Sequence, residues 1–277
     1  MKKLMTEWRN FLQEGRYEAA TTELTRKVIP HVKYIIDEVI PSENVQNSRK
    51  DLILVIGKKY LRGQGLPKEL DDKMYLAQFA FHIDKKLAEE TGDKFQIGGL
   101  FMGDTEDPED SYIKINSFLD IGFNEQDLNA YLGELKAVTI HEIQHGGQTT
   151  DVLDTAYPPK GPLSPINWDK NKIDGIRGYY ASESETDTYT KEIYKRAKYH
   201  KIPFPEALDM RIQQFFDMYK RRRDKMNAED EKETPGEYRV KYTEEELNDF
   251  FYKELRDKYI AFAKTKYPEA VGIWKNS

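Results

Sequence analysis

Apolar residues recur along this chain mostly at helical spacing, and at strand spacing in only two short stretches. Leu4, Trp8, Phe11 and Leu12 predict a short amphipathic helix ending near Gly15. Leu24, Val28, Val32, Ile35, Ile36 and Val39 form one stripe and predict a second helix, with Pro30 as a kink and Pro41 just past its end. Segments 49–60 and 69–90 also read as helical, so the first third of the chain is expected to be mostly α. The pattern then changes. Phe95 to Phe101 and Tyr112 to Asn116 are short and β-prone, the second with Ile113 and Ile115 on one face. They bracket an acidic turn, 103–110, and predict a small antiparallel ribbon.

A long helix is expected next, from about Glu125 to His145, with Leu128, Leu132, Leu135 and Val138 at steps of three and four and Gly146-Gly147 as its stop. Residues 157–178, rich in Pro, Gly and Asn, read as a loop. Three more helices are predicted, over 182–200, 205–226 and 243–266, the last opened by a capping box of Thr243 and Glu246. The expected fold class is α+β and mostly helical. A small antiparallel sheet precedes the long helix, with helical additions at 15–92 and 204–277. One compact domain over 15–277 is expected, without internal repeats.

Composition narrows the partners. With 277 residues and a net charge of −6, the chain lacks the electrostatic footprint of a nucleic-acid binder. Its one basic cluster, Lys220 to Arg223, sits among acidic stretches and reads as a solvated helix face. The absence of cysteine removes disulfides, thiolate ligands and a cysteine nucleophile together. The first residues hold no apolar run typical of a secretory signal, and no stretch is apolar enough to span a bilayer. A soluble protein without a membrane partner is expected; oligomeric state is not legible.

The chemistry concentrates in His141-Glu142-Ile143-Gln144-His145, which matches H-E-x-x-H. On a helix, positions i and i+4 are surface neighbours about 5–6 Å apart at Cβ, so two imidazoles there can converge on one ion. A Zn–N bond of about 2.0–2.1 Å places that ion just off the helix face. Glu142 then projects beside it, where its carboxylate can take a proton from a water that zinc has brought to a pKa of about 7. A catalytic zinc takes three protein ligands, so another donor is required. Glu183, in Ser182-Glu183-Ser184-Glu185-Thr186-Asp187, is the leading candidate, because Asp187 lies four residues on and could hold the free ring N–H of a zinc histidine. Glu185 serves instead if that helix is rotated, and His200 is a distant alternative. Ser182 and Glu185 also make an ordinary capping box, and acidic residues favour a first helical turn anyway.

Over residues 95 to 200 the chain resembles the zincin metallopeptidases, in the gluzincin branch, where H-E-x-x-H is joined by E-x-x-x-D on a later helix. Glu183 and Asp187 match that second motif. The resemblance implies a zinc metalloendopeptidase acting on a protein or peptide, with His141, His145 and Glu183 on zinc, Asp187 behind them and Glu142 as general base. It also implies an edge strand before the motif helix that aligns the substrate backbone, a place taken here by Tyr112 to Asn116. Asp151 stands at the third-ligand position of the metzincin branch, but Gln148 replaces the glycine that branch requires. Tyr179, Tyr180 and Tyr189 are candidate donors to the oxyanion.

The opening residues, ending in Leu12-Gln13-Glu14-Gly15, resemble the capsid-targeting peptides of internal head proteins in large tailed bacteriophages. Those peptides are cut after a Leu/Ile-x-Glu triplet. This likeness implies a targeting segment at 1–14 and a peptidase packaged in a virion and delivered to a host; the plain alternative is an N-terminal helix packed on the domain, in a cytoplasmic protein. Two other classes compete with the peptidase: an inactive zincin-like binding module, and a helical virion protein with an accidental motif.

Overall fold

The computed structural model describes residues 21–42, 49–57, 76–85, 92–102, 112–147 and 169–267. They belong to two compact units that divide between Gln148 and Thr149, where the sequence suggested one domain. The helix expected over residues 4–15, the segment 1–14 and Asp151 lie outside the described residues.

The first unit opens with helix α1, residues 21–39, whose last turn, Ile35–Val39, is π-helical. Leu24, Val28, Val32, Ile35 and Val39 are buried, as their stripe predicts. The helical expectation fails at the next two segments. Residues 50–57 form strand β1 (Lys50–Gly57), and the described part of 69–90 forms β2 (Leu76–Ile83). Leu52, Leu54 and Ile56 turn towards the core while Asp51, Ile53 and Val55 are exposed. In β2 the core positions are Ala77, Phe79, Phe81 and Ile83. Short apolar runs of this kind satisfy either periodicity, and cross-strand pairing decides between them.

Strands β3 (Phe95–Met102) and β4 (Tyr112–Leu119) form the predicted antiparallel ribbon, within a four-stranded mixed sheet of order β1-β2-β4-β3. β1 and β2 are antiparallel, β2 and β4 parallel, β4 and β3 antiparallel. This order corrects one expectation. β4, which holds Tyr112 to Asn116, is an interior strand paired along both sides, so its backbone groups are committed to the sheet. The edge strand beside the motif helix is β3.

Helix α2 (Leu128–Gly147) packs across the sheet, chiefly over β3. Its start is shaped by Asn124, whose side chain accepts from Gln126 N at 2.9 Å while Asp127 accepts from Asn124 N at 3.0 Å. Tyr131 exchanges a 2.8 Å hydrogen bond with Ser117 of β4 and meets Phe95 and Phe123 edge to face. These contacts set how the helix lies over the strands. Gly146 and Gly147 are the last residues of α2 rather than the first beyond it.

The second unit is helical. α3 (Ile173–Tyr180) occupies part of the expected loop 157–178. α4 (Glu183–His200) follows, with Ser182 as N-cap accepting from Glu185 N, as predicted. α5 (Phe204–Glu233) runs past its predicted end at residue 226. The last element, α6, has three parts, Glu244–Asn248, a π-helical Asp249–Leu255 and Arg256–Lys266, and opens with the predicted capping box of Thr243 and Glu246. In the basic cluster on α5, Lys220 and Arg223 pair with Glu244, while Arg221 and Arg222 are exposed. The architecture is therefore α+β and mostly helical. Among the described residues no helix is long and apolar enough to cross a membrane.

Candidate metal centre

The C-terminal half of α2 carries the motif. Every side chain from Ala137 to His145 is buried, so this stretch has no solvated face. Leaving two imidazoles and a carboxylate in such surroundings is unfavourable unless each finds polar or ionic company. The helical repeat puts His141 and His145 on one face, one turn apart, with ring centroids 4.8 Å apart and planes at 75°. Their Nε2 atoms approach to 3.1 Å. Two metal–nitrogen bonds of about 2.0–2.1 Å at a tetrahedral angle require a separation of about 3.3 Å. The observed separation is within a few tenths of an ångström of what one small ion on both Nε2 atoms would require. His141 and Glu142 are each 5% exposed and His145 1%.

Glu142 lies against β3. The Cα of Gly99 faces it so closely that a Cβ there would meet Glu142 Cγ at 2.5 Å and Cδ at 2.7 Å, with Oε1 nearer still. The base candidate and the edge strand are therefore in immediate contact. Gly98, Gly99 and Leu100 are exposed, so this part of β3 is open to solvent.

In the second unit the acidic run at the start of α4 divides by burial. Glu183, the leading ligand candidate from sequence, is exposed, and Asp187 is half-buried. Glu185, the alternative, is fully buried at 0%. Successive helical positions turn by about 100°, so residues 183 and 185 cannot share a face. The capping bond to Ser182 uses the backbone N–H of Glu185 and leaves its carboxylate to do something else. One cation acts on that carboxylate's surroundings. Lys170 lies 3.8 Å above the Tyr179 ring, and burial lowers its pKa against the opposing pull of the Glu185 charge. Lys170 carried no signal in the sequence, where it sits in a stretch read as loop.

The tyrosines separate in the same way. Tyr180 and Tyr189 belong to the aromatic core with Phe215, and burial pushes both hydroxyls well above the usual tyrosine range. The Tyr180 carbonyl accepts from Tyr259 Oη at 2.9 Å. These are packing residues in this arrangement. Tyr179 is half-buried under Lys170, and His200 is exposed at the far end of α4, about 27 Å of helix rise from Ser182. Sequence spacing therefore identified the histidine pair and the acidic run, while burial separated Glu185 from Glu183. No protein-family model, curated protein or solved structure matches this chain.

Proposed function

We propose that this protein is a metal-dependent peptidase, most simply a zinc enzyme, in which His141, His145 and Glu185 hold the ion and Glu142 acts as general base and then acid. The observation that carries the reading is the buried imidazole pair, with two Nε2 atoms 3.1 Å apart on one helix face and a glutamate between them in sequence. Burial moves the third-ligand assignment from Glu183 to Glu185, because a carboxylate on an ion inside the protein cannot also be an exposed one. Two neutral imidazoles and one carboxylate are the donor set of catalytic zinc sites, and leave a coordination position open. Zinc bound there would supply Lewis acidity and a water near pKa 7.

The protein's own residues would do the rest. Glu142, next to His141 on the same helix, would accept a proton there and then return it to the departing amine. Strand β3, the sheet edge against Glu142, offers backbone donors and acceptors to an extended chain, which makes a peptide the natural substrate class. That role passes to β3 from the Tyr112 to Asn116 segment.

Metal analysis and casein hydrolysis on the same preparations test this. Protein purified without added metal should carry about one zinc per chain, consistent with the affinity of such donor sets. Glu142→Gln should retain that zinc and lose about 10²–10⁴-fold in kcat. A metal-free wild type would remove the site, and a fully active Glu142→Gln variant would remove the mechanism.

A further inference from the structure

The contact between Gly99 and Glu142 is not shared by the other glycine of β3. Gly98, the adjacent glycine, would meet nothing within 4 Å if it carried a Cβ, whereas at Gly99 the Cβ would overlap the Glu142 side chain from Cγ outward. The obstacle includes Cγ, so rotating only the carboxylate does not relieve it. The surroundings offer little freedom for a larger movement. Gly99 pairs with Ile115 of β4, which is 0% exposed, and Glu142 is flanked on α2 by Thr139 and Ile143, both 0% exposed. The strand at Gly99 is anchored through β4 and the helix at Glu142 through a buried stretch, so the missing side chain supplies room between them. A glycine in a strand interior weakens the strand, and close approach of another group is a standard reason for one.

We propose that Gly99 is a positioning residue: the bare backbone of the edge strand at this point is what lets Glu142 stand where a general base is needed. The inference rests on the reading of Glu142 given above. It also ties the substrate-aligning strand to the base directly, so that the depth at which an extended peptide lies on β3 and the placement of the base share one determinant.

The test uses five full-length proteins: wild type, Gly99→Ala, Gly98→Ala, Glu142→Ala and the double variant Gly99→Ala with Glu142→Ala. Thermal melting comes first, because it needs neither metal nor substrate. Gly99→Ala should lower the melting temperature in the wild-type background and leave it unchanged or raised in the Glu142→Ala background, where the overlap is gone. Gly98→Ala should be neutral or slightly stabilising. If Gly99→Ala alone fails to fold, recovery of folded protein in the double variant gives the same answer. Hydrolysis of casein by the zinc-loaded proteins follows. Gly99→Ala should keep its zinc, hold KM within about threefold and lose about 100-fold in kcat, the cost of misplacing a reacting group by about 1 Å. Equal melting shifts for Gly99→Ala in both backgrounds, or wild-type kcat in Gly99→Ala beside an inactive Glu142→Ala, would overturn the proposal. Full activity in Glu142→Ala would instead overturn the base assignment on which it rests.

Discussion

The two units are built from different interiors. The core of the first is largely aliphatic: Leu24, Val28, Val32, Ile56, Ile113, Ile115, Leu135 and Ile143 fill the space between sheet and helices. That of the second is aromatic, with Tyr180, Tyr189, Phe204, Phe215, Tyr219, Phe250, Phe251 and Tyr259 packed ring against ring. Branched aliphatic side chains suit a pleated surface with close, regular neighbours. Rings fill the wider gaps between crossing helices, and tyrosine brings a hydroxyl that must be bonded. Tyr242 and Tyr259 spend theirs on backbone carbonyls of Tyr219 and Tyr180, while burial raises the Tyr219 and Tyr242 pKa values to about 12.

The contrast extends to buried polar groups. In the first unit Thr139, His141, Glu142, Gln144 and His145 are buried at the motif, with Thr21, Thr25, Ser117 and Asp120 buried elsewhere. In the second they run along α4, where Ser184, Glu185, Thr186, Thr188, Thr190, Lys191, Glu192 and Arg196 are all buried. Much of that polar run finds partners on α4 itself or on α5. Thr186, Thr188 and Thr190 donate back to carbonyls one turn earlier, and Glu192 accepts from Arg196 and Arg211 at 2.8 and 3.0 Å. One buried helix thus serves stability along most of its length, and under the proposed reading contributes a ligand at its first turn.

Substitutions can break or sharpen this division. The largest effect is expected at the first turn of α4: Glu185→Ala should lower zinc affinity by at least about 100-fold, exceeding the usual loss from an outer-shell partner, while Glu183→Ala should leave it nearly unchanged. Competition with a chromophoric chelator reads both, and the reverse ranking would return the ligand role to Glu183. Further along the helix, Glu192→Ala strands Arg196 and Arg211 and should cost about 3–5 kcal/mol in urea unfolding with zinc content preserved. Loss of zinc together with stability there would show that the two parts of α4 do not act separately. The smallest effect is expected at Thr243→Ala, where removal of the α6 capping box should cost about 1 kcal/mol by the same unfolding measurement.

How much of this was legible in the sequence differs from element to element. The motif helix, α4, the N-cap at Ser182 and the capping box at Thr243 are local in origin, so periodicity and capping residues disclose them. The Glu185 side chain does not return the bond that a full capping box at Ser182 would need. β1 and β2 were misread because Leu52-Ile53-Leu54-Val55-Ile56 and Leu76 to Ile83 are short apolar runs whose state depends on distant partners. The role of β4 was misassigned for the same reason, since no local signal distinguishes an interior strand from an edge. α3 was missed because Gly175 and Gly178 imitate a loop.

By itself, then, the sequence determined where a metal could be held by two histidines, because the i, i+4 spacing is a property of the helix alone. It also determined that an acidic run would begin α4. Only the tertiary structure decided that β3 is the strand beside Glu142, that Gly99 is the residue facing it, and that Glu185 rather than Glu183 is the buried carboxylate. Each of these depends on strand order, close approach or helix rotation, which arise between elements and leave no periodic trace within one.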